Sequence, residues 1–131
     1  MFKTVLFPID RSREAREAAK VVSNIVKTYN SRLVVLSVVE AEADSGMGSE
    51  PEVAKLLEGA KALFSQQGIT AETLEKVGGI PSFTICDVAD EIKADLIIMG
   101  SRGLALASDN AKESVAHRAI ELAPCPVLIV P

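Results

Sequence analysis

Short runs of unbroken apolar residues alternate along this chain with longer segments in which apolar residues return every three or four positions. An unbroken, β-branched run marks a strand buried on both faces, and a 3.6-residue rhythm marks one face of a helix. KTVLFPI opens the series as a strand. Behind it Ala15, Ala18, Ala19, Val22, Ile25, Val26 and Tyr29 share one helical face, with Ser12 as N-cap and Glu14 in the first turn. RLVVLSVVE is a second buried strand. The following AEADSGMGSEPE carries two glycines, four acids and no period, and is expected to be a mobile surface loop.

A second helix restarts at SEPE, where Ser49 and Glu52 have capping-box spacing and Pro51 sits in the first turn. Its inward stripe is Val53, Leu56, Leu57, Ala60, Leu63 and Phe64, and Gly68 is placed at C′. TAETLEKV alternates and is expected at an edge of the sheet. GGIPS ends it, and Pro81 opens a third helix with Ile85, Val88, Ala89 and Ile92 inward. ADLIIMG is another fully apolar strand, SVAHRAIELA a fourth helix and PCPVLIVP a last strand. Five strands in strict alternation with four helices predict an α/β fold, a doubly wound and mainly parallel sheet, in a single domain over residues 1–131.

Composition narrows the function without naming it. A net charge of −4 and a pI near 5.0 offer no general attraction for nucleic acid or anionic lipid. The N-terminal MFKTVLFPIDRS lacks the apolar core and cleavage site of a signal peptide, and no apolar run approaches the ~20 residues that span a bilayer, so a cytoplasmic protein is expected. Cys86 and Cys125 have no Cys-x-x-Cys spacing and are each read as a small buried side chain. His117, the sole histidine, has neither a second base nor an activated serine near it in sequence and is read as a surface residue. Asp87, Asp90 and Glu91 read as a solvated helix face, and no catalytic residue is expected.

In an open doubly wound sheet, ligands bind beyond the carboxyl ends of the strands, where strand order reverses. The strand ends FPID, SVVE and IIMGSRG would bring Asp10, Val39 and Gly100 to Gly103 to one crevice, with glycines that let backbone N–H groups approach a phosphate. A bare strand-to-loop turn at the glycines and a capping role for Asp10 remain the alternatives.

The blocks VLFPIDRS, LVVLSVVE, ADLIIMGSRG and SVAHRAIELAPCPVLIVP resemble the universal stress protein family. That resemblance implies a parallel sheet of strand order 3-2-1-4-5, a homodimer, and a split between a branch that binds ATP and one that does not. The binding branch carries Gly-x-x-Gly, nine residues, Gly and then Ser or Thr; here Gly100, Gly103 and Ser114 match, and Glu113 replaces the third glycine. By the same resemblance Pro8, Asp10, Val39, Met99, Gly100, Arg102, Gly103, Ser114 and Val115 would hold an adenine nucleotide, ATP, ADP or AMP, with or without Mg. Asp10 would face the ribose or adenine, the backbone near Val39 the adenine edge, and Gly100, Arg102, Gly103 and Ser114 the phosphates.

Glu113 divides the outcomes. A carboxylate about 4 Å from a phosphate charge, at an effective dielectric near 20, repels it by about 4 kcal/mol. That is close to a thousandfold in affinity. Alternatively Glu113 turns back on the helix N-terminus as a partner of Asn110, three residues earlier, and leaves the ligand alone. The expected function is an adenine-nucleotide-binding module with weak or no hydrolysis; the alternative is a protein that binds no nucleotide and acts through protein contacts. The apolar VLIV, between two prolines, is expected on an edge that pairs with a second copy.

Overall fold

A computed structural model describes residues 1–9, 13–39, 50–100 and 115–131. Their elements run β1 (Thr4–Pro8), α1 (Arg13–Tyr29), β2 (Arg32–Val39), α2 (Glu50–Gln66), β3 (Ala71–Val77), α3 (Pro81–Glu91), β4 (Leu96–Gly100), α4 (Val115–Leu122) and β5 (Val127–Val130). The five strands form one parallel sheet in the order β3-β2-β1-β4-β5. Each βαβ link feeds the neighbouring strand except β3 to β4, which crosses from one edge over to the far side of β1. Winding therefore reverses between β1 and β4.

Side-chain alternation sorts the sheet into two faces. Val5, Phe7, Leu33, Val35 and Ile98 belong to a core built with α1 and α2. Leu6, Val34, Leu36, Ile97 and Met99 point the other way, against α3 and α4. This double burial is why β1, β2 and β4 read as unbroken apolar runs, while β3, half exposed at one edge, alternates. Phe7 and Phe64 meet edge to face with ring centroids 6.1 Å apart, locking α2 onto β1.

The helices end where the chain can afford a left-handed residue. Gly68 has φ of 80°, its N–H donates to Ser65 O, and Ile69 N–H donates to Phe64 O, the double bond of a Schellman cap on α2. Asn30 performs the turn after α1 at φ 52°. Gly78 and Gly79, at φ 80° and 79°, carry β3 into α3, and a Cβ on Gly79 would lie 3.2 Å from the Thr84 hydroxyl. Pro81 begins α3, which has no side-chain cap.

The residues of the expected inward stripes are buried or half-buried, with two exceptions. Tyr29 is 43% exposed and sits edge-on to Phe2 at 5.3 Å. Leu63 is likewise 43% exposed. The expected caps Ser12 and Ser49 and the loop from Ala41 to Ser49 lie outside the described residues, as do Glu40 and residues 101–114.

Across β2 and β3, Arg32 grips Glu72 with two bonds, Nε to Oε2 at 2.6 Å and Nη2 to Oε1 at 2.9 Å. The hydrogen bonds from the guanidinium, aided by its charge, hold the Glu72 carboxyl below its ordinary value. Both side chains are about half exposed, so solvent limits the pair to less than about 1 kcal/mol. A depressed folded-state pKa contributes stability above the ordinary carboxyl value of 4.5 and loses it as pH falls through the lower folded value. Arg32→Gln is therefore expected to cost a few tenths to about 1 kcal/mol in urea unfolding at neutral pH. The gap between variant and native chain should close as the medium is acidified through the carboxylate range.

Candidate functional site

β1 lies between β2 and β4 and must satisfy both. Its odd residues face β2: Arg32 N–H donates to Lys3 O, and Ile9 N–H donates to Leu36 O at 2.8 Å. Its even residues face β4: Asp95 N–H donates to Thr4 O at 2.8 Å, and Thr4 N–H donates to the Asp95 carboxylate at 2.9 Å. Pro8 falls on the β4 side and has no N–H to give. Accordingly β1 pairs with β2 through Pro8↔Leu36, but with β4 only through Leu6↔Ile97. β4 itself continues to Gly100, held by β5 at Gly100↔Val130. The ladder at the switch point thus stops short of the carboxyl ends, the place where doubly wound folds open a ligand crevice.

Two of the described candidates end the strands on either side of this break. Pro8 and Gly100 end the two strands, and Val115 begins α4. Met99 is fully buried with its side chain in the α3–α4 core. Val39 ends β2 with its side chain in the opposite core, and its carbonyl already accepts the Gly78 N–H at 2.7 Å. A ligand at Val39 O would share that acceptor, using its second lone pair. Ser37, which sequence reasoning passed over inside an apolar run, is buried and its hydroxyl lies 3.5 Å from Ile9 O, a weak tether on the end of β1. Its signal was one hydroxyl in LVVLSVV. Asp10, Arg102, Gly103, Ser114 and Glu113 lie outside the described residues.

Other groups are accounted for by packing. His117 is exposed on α4, with Nε2 3.3 Å from Glu121 Oε1 one turn on. Asp87, Asp90 and Glu91 are exposed, and Glu91 meets Lys76 at 3.8 Å. Among the described residues no cluster of His, Cys, Asp and Glu could hold a metal ion, and no described helix is long and apolar enough to cross a membrane. Cys86 is buried and Cys125 half-buried. Burial pushes both thiols up, with Asp87 adding to the effect at Cys86 and Asp95, then Cys86 itself, at Cys125.

The order of the strands and the reversal of winding between β1 and β4 define an α/β protein of the doubly wound type. The family model for the Universal stress protein family matches residues 1–131. Universal stress protein Sll1654 from Synechocystis sp. strain PCC 6803 is 58% identical over 100% of this chain and 87% of its own. The chain belongs to the universal stress protein family. Two solved structures share the fold. A universal stress protein in complex with cAMP superposes with a TM-score of 0.80 at 23% identity, covering 99% of this chain and 97% of the other. The universal stress protein from Archaeoglobus fulgidus in complex with dAMP gives 0.75 at 21% identity, covering 99% and 98%.

A raised thiol pKa means less thiolate, the form that alkylating agents attack. Both cysteines are expected to react with iodoacetamide at least about tenfold more slowly in the native protein than in urea at the same mildly alkaline pH, Cys86 the slower. Mass spectrometry of timed digests reads this directly, and native-state labelling at the free-cysteine rate would contradict the packing described.

Proposed function

We propose that this protein binds an adenine nucleotide in the crevice between the carboxyl ends of β1 and β4, and works in the cytoplasm as a nucleotide-responsive module of the stress response. The observation that carries the reading is the β1–β4 ladder stopping at Leu6↔Ile97, before Pro8, at the place where the winding reverses. The cAMP and dAMP complexes of two proteins of the same fold support the ligand class. Pro8, Gly100, the Val39 carbonyl and the backbone of Met99 are assigned the adenine ring. Asp10, Arg102, Gly103 and Ser114 are assigned the sugar and phosphates, and Val115 the first N–H groups of α4.

A second reading stands on Glu113, the acid in the position of the motif glycine. If its carboxylate enters the phosphate cradle, triphosphate is excluded and the protein serves through protein contacts alone. AMP reaches less far than ATP toward such a charge. On the nucleotide-binding reading, calorimetric titration should rank AMP and ADP above ATP, and Glu113→Gly should tighten ATP by at least about tenfold. No heat with any of the three nucleotides would favour the protein-contact reading.

We further propose that two copies pair through β5. It is an edge strand with β4 as its single neighbour, and it leaves Leu128 36% exposed. Unpaired apolar edges invite association. Light scattering at micromolar concentration is expected to give twice the 13.9 kDa chain mass, and Leu128→Glu to move the population toward the monomer.

A further inference from the structure

The two faces of the sheet are covered differently. α3 and α4 pack against each other, whereas α1 lies over β4 and β5 and α2 over β2 and β3. Between α1 and α2 the central strand is therefore the floor of a groove of about 440 Å³, within the roughly 300–1,000 Å³ of small-molecule sites. Phe7 and Ile9 form the floor. The walls are narrow side chains, Ala15 and Ala19 on α1 and Gly59 and Ala60 on α2, so the space exists because these positions lack bulk. Along α2 the lining runs from Lys55 to Phe64, roughly 14 Å of helix at 1.5 Å per residue, a length suited to an extended chain rather than a compact ring. The exposed Leu63 that the helical pattern had placed in the core is part of this lining.

Charge around the groove is one-sided. Its charged lining residues are Arg16 and Lys55, without an aspartate or glutamate, in a chain that carries 18 acids against 14 cations. Neither cation pairs with a carboxylate among the described residues. The rest of the lining is hydrocarbon and aromatic carbon, with no side-chain hydroxyl or amide to orient a polar ligand. An apolar slot with two cations at its rim is complementary to a long apolar body bearing one anionic head. The lining shares no residue with Pro8, Val39, Met99, Gly100 or Val115, so this is a site distinct from the nucleotide crevice.

We propose that the groove between α1 and α2 binds a medium-chain fatty-acid anion, its hydrocarbon chain over Phe7 and Ile9 and its carboxylate between Arg16 and Lys55. The probe is dodecanoate, kept below its micelle concentration and titrated calorimetrically, with methyl NMR of Leu56 and Leu63 locating it. One site per chain is expected. Dodecyltrimethylammonium, with the same chain and the opposite charge, should bind at least about tenfold more weakly. Gly59→Leu fills the slot from a helical position whose Cβ meets nothing within 4 Å, and it raises helix propensity, so the variant folds and should lose dodecanoate binding while keeping its response to AMP. The reversal Arg16→Glu with Lys55→Glu should lose the preference for the anion without filling the groove. The proposal is overturned by absence of dodecanoate binding, by equal binding of the cationic analogue, or by undiminished binding in Gly59→Leu.

Discussion

The central strand is asked to do two incompatible things, and Pro8 decides between them. A strand in the middle of a parallel sheet needs a donor on alternate sides along its whole length. β1 supplies them toward β2 to its end, through the Ile9 N–H, and runs out of them toward β4 at Pro8. Proline in a central strand is ordinarily a defect. Here it coincides with the reversal of winding between β1 and β4, so the interruption falls where the fold already separates its two halves. The buried apolar runs of β1, β2 and β4 can hold the sheet together below the break, with Leu6, Ile97 and their neighbours fully packed. Above it, β4 is held by β5, through Gly100↔Val130.

The two layers of helices complete the division of labour. On one side α3 and α4 meet and seal Met99 and Ile97 beneath them. On the other, α1 and α2 lie over different strands, and alanines and a glycine leave the space between them unfilled. One strand thus carries two different features: the end of its ladder at the switch point, and the groove over its side-chain face, between the helices. The first comes from a main-chain donor that Pro8 lacks. The second is built from hydrocarbon with a cationic rim.

Alternation of unbroken apolar runs with 3.6-residue stripes was enough to place the nine elements of the described residues in order, because a strand buried on both faces and a helix buried on one have different periods. The caps at Gly68 and Pro81 were legible for the same local reason, since each depends on the backbone of its own residue. Tyr29 and Leu63 were not. Both continue the apolar stripe of their helix, but a stripe tells only which side faces inward, not where the sheet beneath it ends or whether a neighbouring helix closes over it. Of the candidate region, the strand ends at Pro8 and Gly100 were legible in the sequence, whereas the engagement of the Val39 carbonyl by Gly78 and the burial of Ser37 against Ile9 depend on contacts 39 and 28 residues away in sequence.

By itself the sequence determined the class of the fold, the identity and order of its elements, and the family, because these rest on periodicity and on motifs read within a few residues. The tertiary structure decided which partner each face of β1 meets: that Pro8 turns its missing donor toward β4 and not β2, and that Ala15, Ala19, Gly59 and Ala60 line one groove instead of two unrelated helix surfaces. Those outcomes depend on the parity of a strand and the spacing of helices over it, which arise only when segments remote in the chain are brought into register.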